Sequence, residues 1–302
     1  MESLELSIYK RYRSLMDPSW NDDPENALPL AGAEPRSVAL KDIVDDYDAF
    51  CFDGYGTLYN RGDFVYPMAR EWYDLLRSRG KAMRLVTNAA SNTDDMLAAD
   101  AAARGFAFTA EETISSGSLL EQLLLRRRDE GRGIREVYYI GRVTGVRVLQ
   151  SCGVESVENP ESPVVAVSSA TADDAMFGHA VDILRRPGGI LLVLNSDAWA
   201  PNIDGSRSPV SGALAERLRL ESGCAEVHYF GKPFSGIFDK VKASLPAGSR
   251  ILMVGDTLGT DVMGARYAGM GSALVVGRNE PAGELADDER ALKIRPDYYL
   301  VG

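Results

Sequence analysis

The first candidate for chemistry is an aspartate that directly follows a short apolar run. Asp53 comes after Ala49–Phe52 and is followed by Gly54 and Gly56. Ligands of open α/β sheets bind beyond the carboxyl ends of the strands, so a strand over Ala49–Phe52 places Asp53 where chemistry is expected. A carboxylate there can act as a nucleophile, as in enzymes that form an aspartyl phosphate, and the glycines let backbone N–H groups approach an anion. An aspartate that caps a turn explains this segment equally well.

Two further segments end in residues that can bind an anion. Thr87 and Asn88 follow the apolar run Met83–Val86, and both side chains can donate hydrogen bonds to a phosphoryl oxygen. Lys232 stands between a glycine and Pro233, where its charge can neutralise both a carboxylate and a bound phosphate. Each signal is weak alone, because Thr-Asn is also a helix N-cap pattern and most lysines are solvated.

The last polar pair is Asp256 and Asp261, which follow the apolar run Ile251–Val254 and open a helical pattern. Carboxylates at a strand end suit Mg²⁺, which is typically held by one or two of them together with water and substrate phosphate. Asp256 is the stronger candidate for a direct ligand, whereas Asp261 either supports it or caps the helix.

Short strands that alternate with helices would position these residues. Apolar runs of strand length recur between turn signals, with helix-period segments at 66–79 and 261–268. This alternation is typical of parallel strands buried between crossover helices, so we predict an α/β fold with a doubly wound parallel sheet. The predicted strands are Ala49–Phe52, Met83–Val86, Val137–Ile140, Val164–Val167, Ile190–Leu194, Ile251–Val254 and Ala273–Val276. A separate amphipathic helix is predicted over Leu4–Met16, in a segment that we interpret as a packing extension rather than a partner-binding arm.

Composition excludes several classes of protein. Among 302 residues, 33 are Lys or Arg and 44 are Asp or Glu, and a net charge of −11 argues against a nucleic-acid partner. No apolar run approaches the roughly 20 residues of a membrane helix, and the N-terminus resembles no signal peptide. Three cysteines without a CxxC pair and two histidines argue against zinc and suit a reducing compartment, so we expect a cytoplasmic protein.

In this order, the four motifs resemble those of the haloacid dehalogenase (HAD) superfamily, whose members carry a nucleophilic aspartate, then Ser/Thr, Lys and an acidic pair. The likeness is greater to subclass IIA, the p-nitrophenylphosphatase-like sugar and nucleotide phosphatases. The segment Leu194–Pro201 resembles that branch's Asn-Pro-Asp…Pro segment, and 254–270 matches its last motif. The resemblance covers about residues 45–300. It implies a Rossmann-like HAD core with an inserted α/β cap domain.

The resemblance also implies catalytic roles. Asp53 would be the nucleophile, Thr87 and Asn88 would grip the phosphoryl group, and Lys232 would stabilise its charge.

It implies Mg²⁺ as the cofactor as well. Asp53, Asp256 and the backbone carbonyl oxygen of Tyr55 would hold the ion, with Asp261 beside them.

Motif spacing locates the inserted domain. Asp53 and Thr87 are 34 positions apart, too few for a cap, whereas Asn88 and Lys232 are 144 positions apart. The predicted domains are an N-terminal extension at 1–40, a core at 41–127 and 226–302, and a cap at 128–225. Because caps of this kind select the substrate, Asp197 and Trp199 are candidates for substrate contact, with a turn and a core position as the plain alternative. A homodimer is also possible, since cap-to-cap dimers are common in this branch.

One residue departs from the family pattern. HAD phosphatases carry a second aspartate two residues after the nucleophile, as general acid and base, and this chain has Tyr55 there. General acid–base catalysis contributes roughly 10²–10⁴-fold. A neutral tyrosine, with a pKa of about 10, is a poor base at pH 7.

Three functions therefore remain open. The favoured one is an Mg²⁺-dependent phosphatase that acts on a small phosphorylated metabolite through an aspartyl-phosphate intermediate. A degenerate member that binds a phosphorylated ligand without turnover is the alternative, and Tyr55 is its best support. Carbon–halogen hydrolysis would need no leaving-group proton, but 2-haloacid dehalogenases carry their cap between the first two motifs and lack the acidic metal pair.

Overall fold

Two parallel sheets, one of seven strands and one of five, organise the part of the chain that this computed structural model describes, residues 3–20, 34–170 and 172–300. The strands are β1 (Arg36–Val38), β2 (Ala49–Phe52), β3 (Ala82–Thr87), β4 (Thr113–Ser115), β5 (Glu136–Ile140), β6 (Glu155–Ser156), β7 (Val164–Val167), β8 (Ile190–Val193), β9 (Trp199–Pro201), β10 (Arg207–Pro209), β11 (Glu226–Tyr229), β12 (Ile251–Gly255), β13 (Gly271–Val275) and β14 (Tyr298–Leu300). The α-helices are α1 (Leu4–Met16), α2 (Pro67–Ser78), α3 (Asp94–Ala103), α4 (Leu120–Asp129), α5 (Val146–Ser151), α6 (Asp174–Leu184), α7 (Ser211–Ser222), α8 (Ser235–Ala243), α9 (Met263–Tyr267) and α10 (Leu285–Leu292). Short 3₁₀ turns span Leu40–Asp42, Val44–Asp46, Gly117–Leu119 and Val143–Gly145, and a π-helical turn spans Leu258–Val262.

The larger sheet has the strand order β1-β14-β13-β12-β2-β3-β4, with every pairing parallel. From β2 the chain moves outward through β3 to β4, and it later returns to β12 on the other side of β2. The order therefore reverses between β2 and β12, which makes their carboxyl ends the expected ligand-binding edge. The predicted α/β fold with a doubly wound parallel sheet is confirmed.

Burial on both faces explains why β2 is apolar throughout. Phe50 and Phe52 belong to one apolar cluster with Trp72 of α2, whereas Cys51 belongs to another with Phe238 of α8. Successive side chains of a strand point to opposite faces, so a central strand covered by helices on both sides needs an unbroken apolar run.

The smaller sheet has the order β11-β8-β7-β5-β6, and its pairings are also parallel. It contains the strands of the predicted cap, but it extends to Tyr229, past the predicted boundary at 225. The strand β11 is not marked by an apolar run, because it lies at the edge of the sheet. Its four residues are all half-buried, and Glu226 and His228 interrupt its apolar pattern.

The larger sheet likewise recruits a strand from the predicted extension at 1–40. Its edge strand β1 pairs in parallel with β14. Because an edge strand is covered on fewer sides, Arg36–Val38 lacks the apolar run that marks the central strands.

The predicted N-terminal helix is confirmed as α1, with the side chain of Ser3 capping its first turn. Its buried face carries Ile8, Tyr9 and Tyr12, which pack in one cluster with residues of the π-helical turn and α10. The Tyr12 hydroxyl donates to the backbone carbonyl of Ser196, 2.9 Å away. The helix thus contacts both the larger sheet's helices and the segment after β8. None of the helices in the described residues has the length and apolarity needed to cross a membrane.

A close contact with α1 explains why residue 259 is a glycine. A Cβ at this position in the π-helical turn would lie 2.2 Å from a ring carbon of Tyr9. We expect Gly259→Ala to lower the free energy of unfolding by about 1–3 kcal/mol, because the added carbon overpacks a buried contact. Urea unfolding measures this change. Gly178→Ala is the control, since nothing lies within 4 Å of a Cβ there and an alanine inside α6 should stabilise by about 0.5–1 kcal/mol. Equal unfolding midpoints for the two variants would contradict the Tyr9 contact.

Candidate active site

The carboxyl ends of both sheets face one cavity of about 940 Å³. Polar residues enter it from the ends of β2, β3 and β12 on one side, and from the segments after β5, β7, β8 and β11 on the other. The sequence-predicted site residues that line it are Asp53, Tyr55, Thr87, Asp197, Trp199, Lys232, Asp256 and Asp261. Asn88 is the predicted site residue that does not line it.

Lys232 joins the first and last motifs. Its buried Nζ lies 2.6 Å from Oδ1 of Asp53 and 2.7 Å from Oδ1 of Asp261. Burial alone would lower the pKa of Lys232, but the facing carboxylates of Asp261, Asp53 and Asp197 raise it above its ordinary value. The lysine is therefore a fixed positive charge beside the predicted nucleophile.

Asp261 organises the loop after β12. Its Oδ2 accepts hydrogen bonds from the backbone N–H groups of Asp256 and Thr257, both at 3.1 Å. Its other oxygen pairs with Lys232. With both oxygens engaged, Asp261 fixes the backbone that carries Asp256.

Asp256 has the features of a metal ligand. Carboxylate oxygens of Asp53, Asp256 and Asp261 lie within 4.8 Å of one another, and Oδ2 of Asp256 is buried with no hydrogen-bond partner among the described residues. Burial, followed by the charges of Asp53 and Asp261, raises the pKa of Asp256. A hard divalent cation would satisfy this oxygen and offset the repulsion, so the donor set fits Mg²⁺.

The loop after β2 approaches this group very closely. A Cβ at Gly56, where φ is +100°, would lie 2.0 Å from Oδ2 of Asp256. Only a glycine gives the backbone between the two motifs this conformation and this clearance.

The environment of Asp53 raises its pKa above that of an exposed aspartate. Burial raises the pKa of Asp53 to about 7, Lys232 opposes that rise, and the charges of Asp261 and Asp197 add to it. A bound cation shifts this balance back towards the carboxylate, the form that can attack phosphorus.

Asn88 differs from its predicted role in gripping the phosphoryl group. Its Nδ2 donates to the carbonyl of Lys232 at 3.0 Å and to Oδ1 of Asp197 at 2.8 Å, while its Oδ1 accepts from the Lys232 N–H at 2.7 Å. The amide is used to bind the turn that carries Lys232, so its side chain has no free group for a phosphoryl oxygen. Thr87 retains the predicted position, buried at the end of β3 and in the cavity wall.

Asp197 and Trp199 both reach the cavity, as the sequence suggested. Burial raises the pKa of Asp197 to about 6, and the charge of Lys232 and the Asn88 hydrogen bond oppose that rise. Half-buried Trp199 begins β9 of the antiparallel β9–β10 pair.

Tyr55 points its hydroxyl away from the carboxylate cluster. The hydroxyl donates to Oδ2 of Asp100 on α3 at 3.0 Å, and Asp100 forms a 2.5 Å ion pair with Arg104. Burial, and then Asp100, raise the pKa of Tyr55 to about 12, with Arg104 and Arg142 opposing the rise. The side chain of Tyr55 is therefore not a base at neutral pH, and it supplies no second carboxylate.

Sequence reasoning missed several cavity residues. Asp100 lies on α3 and Arg104 directly follows that helix, whereas Arg142 and Ser168 follow β5 and β7. Strand ends at 140 and 167 were predicted, so the position after each strand was an available signal for Arg142 and Ser168. Asp100 and Arg104 carry no such signal, because an Asp and an Arg four residues apart read as an ordinary helix-surface pair.

Comparison with known proteins agrees with this geometry. Family models described as haloacid dehalogenase-like hydrolase and HAD-hydrolase-like match residues 50–155 and 229–301. Chronophin from Mus musculus is 31% identical over 278 residues, which cover 88% of this chain and 94% of that protein. Glycerol-3-phosphate phosphatase from Homo sapiens is 27% identical, and the match covers 91% of this chain and 96% of that protein. The structure of a possible sugar phosphatase from Cytophaga hutchinsonii superposes with a TM-score of 0.76 at 24% identity. The superposition covers 88% of this chain and 98% of that protein.

The motif order, the cavity at the strand ends and these matches lead to one assignment. The chain belongs to the haloacid dehalogenase-like hydrolases, in the subclass IIA branch of p-nitrophenylphosphatase- and sugar-phosphatase-like enzymes.

Proposed function

We propose that the protein is an Mg²⁺-dependent phosphatase that hydrolyses a small phosphorylated metabolite through an aspartyl phosphate on Asp53. The observation that carries this proposal is the placement of Lys232 between Asp53 and Asp261, beside the unpartnered Oδ2 of Asp256. The phosphatase relatives support it, since glycerol-3-phosphate phosphatase and 4-nitrophenylphosphatase match across most of the chain.

In the first step, Asp53 attacks phosphorus and the P–O bond to the leaving group breaks. Lys232 holds one Asp53 oxygen at 2.6 Å, which fixes the rotamer and leaves the other oxygen for attack. The Thr87 hydroxyl, in the cavity wall, can donate to a phosphoryl oxygen. Asp53, Asp256 and the Tyr55 carbonyl would hold a divalent cation, which would supply positive charge to the carboxylates and the phosphoryl oxygens.

In the second step, water attacks phosphorus of the phospho-Asp53 and the bond between phosphorus and the Asp53 oxygen breaks. The products are the Asp53 carboxylate and inorganic phosphate, and the proton lost by the water goes to the phosphate or to solvent. Lys232 stays charged throughout, because Asp261 remains paired with it after Asp53 is phosphorylated. Asp261 also keeps its two backbone hydrogen bonds, so the loop that carries Asp256 need not move. The fixed charges stabilise the transferring group at little cost in reorganisation.

The test is phosphate release from p-nitrophenyl phosphate in Mg²⁺ and in EDTA, together with thermal unfolding. We expect turnover only with Mg²⁺, and a higher melting temperature with the ion because it binds the folded state. Asp256→Asn should weaken both effects, since it removes a charged ligand and keeps the shape of the side chain. Asp129→Asn is the control, because Asp129 is exposed at the end of α4. It should change neither the turnover with Mg²⁺ nor the rise in melting temperature.

A non-catalytic binding protein is the second candidate, and Tyr55 is the observation that favours it. In that case Mg²⁺ would still raise the melting temperature, whereas no phosphate would be released from any ester. If the ion changed neither melting nor turnover in the wild type, the metal assignment would be wrong.

A further inference from the structure

Among the described residues, four basic side chains line the cavity, and two of them are paired with carboxylates. Lys232 is paired with Asp53 and Asp261. Arg104 is paired with Asp100.

The remaining two, Arg61 and Arg142, form no ion pair with any carboxylate in the described ranges, and both are exposed. The cavity wall thus carries two positive charges without a carboxylate partner in the part of the chain that the structure describes, although the chain as a whole has a net charge of −11.

These basic residues line the same cavity as Tyr55. Asp100 accepts the hydrogen bond of the Tyr55 hydroxyl and pairs with Arg104. Arg104 also donates two hydrogen bonds to the carbonyl of Gly62, at 3.0 and 2.6 Å, which holds the loop next to Arg61 against α3. The loop with Arg61, the C-terminal end of α3 with Arg104 and the turn with Arg142 therefore line one cavity with Tyr55.

Arg142 lies in a tight turn on the side of the cavity formed by the smaller sheet. The backbone turns directly after β5, where the hydroxyl of Tyr139 lies 3.3 Å from the Arg142 carbonyl and 2.5 Å from Oγ of Ser168. Cβ atoms at Gly141 and Gly145 would lie 2.2 and 1.8 Å from the Tyr139 hydroxyl, so the turn closes tightly on this residue. Arg142 consequently projects from a fixed turn rather than from a long loop.

We propose that Arg142, assisted by Arg61, binds a second anionic group of the substrate beside Tyr55. The substrate class is then a phosphate monoester whose organic part carries a carboxylate or another phosphate. A guanidinium binds either group through paired, charge-assisted hydrogen bonds. This inference rests on the proposed phosphatase function, because the phosphoryl group at Asp53 fixes which end of the substrate faces Tyr55.

The same arrangement gives Tyr55 a reason to replace an aspartate. A carboxylate at position 55 would repel a second substrate anion and would compete for Arg142. The neutral Tyr55 hydroxyl, donating to Asp100, adds no charge to the region. Specificity of this kind combines an attractive group with the removal of a repulsive one.

The test compares kcat/KM for matched esters that differ in the second group. The carboxylate arm uses 3-phosphoglycerate and glycerol 3-phosphate, and the phosphate arm uses fructose 1,6-bisphosphate and fructose 6-phosphate. We expect the wild type to prefer the ester with the added anion in one arm, which identifies the anion bound. Arg142→Glu should reduce that preference by about tenfold or more, since it replaces an attractive charge with a repulsive one.

Arg147→Glu is the matched control, because it makes the same change of charge at an exposed position of α5 outside the cavity. The preference should persist in this variant. A wild type that hydrolyses p-nitrophenyl phosphate but prefers neither anionic ester would overturn the inference and leave the phosphatase function intact. If no ester is hydrolysed, the phosphatase function fails, and the ratio of Kd values for the same ester pairs, measured by calorimetry in wild type and Arg142→Glu, decides the inference instead.

Discussion

Asp53→Asn should reduce Mg²⁺-dependent phosphate release by at least about 10³-fold, as removal of a catalytic nucleophile does in other enzymes. The amide keeps the shape of the carboxylate but cannot form the acyl phosphate. The change also removes one of the three carboxylates that converge at the end of β2 and β12. We therefore expect the metal-free variant to unfold at or above the wild-type temperature, because burial and neighbouring charges already raise the pKa of Asp53 to about 7.

Two measurements separate this loss from a folding defect. Initial rates of phosphate release report the nucleophile, and thermal unfolding without metal reports the fold. Phosphate release within tenfold of the wild-type rate in a folded Asp53→Asn protein would show that another group attacks phosphorus. A large drop in melting temperature would instead show that the Lys232–Asp53 pair is needed for stability.

The central strands of the fold were predictable because they are buried on both faces. A strand in that setting needs apolar side chains at every position, and β2, β7 and β12 show such runs in the sequence. Edge strands have no such requirement. For that reason neither β1 nor β11 is marked by an apolar run, and the second sheet ends four residues beyond the predicted cap boundary.

The site was predictable where topology alone brings residues together. The carboxyl ends of adjacent parallel strands meet at one edge, so Asp53 and Asp256 had to approach each other once β2 and β12 were neighbours. The role of Asn88 was not predictable in this way, since it depends on the position of a turn 144 positions away. The position of Asp100 depends on how α3 faces the cavity, a relation that no local pattern encodes, whereas Arg142 follows a predicted strand end.

Tyr55→Asp should raise kcat for alkyl phosphates by about 10²-fold, within the range of general acid–base catalysis. An alkoxide leaving group needs a proton as the P–O bond breaks, and the water that attacks phospho-Asp53 needs a base. A carboxyl group at position 55 can supply both, whereas the wild-type hydroxyl has a pKa of about 12 and donates to Asp100. For p-nitrophenyl phosphate, whose phenolate is a stable leaving group, the first step should gain little.

Tyr55→Asn is the matched control for this change. Both substitutions remove the hydrogen bond to Asp100 and the edge-on ring contact with Tyr59, whose centroid lies 5.2 Å away, but only the aspartate can transfer a proton. The measurement is kcat for one alkyl and one aryl ester in the three proteins. An equal gain in both variants would mean that removal of the ring, not proton transfer, accelerates turnover. An unchanged alkyl rate in a folded Tyr55→Asp protein would mean that another group of the cavity already supplies the proton. Asp197 would then be the residue to replace next, because burial raises its pKa to about 6 and it lines the same cavity.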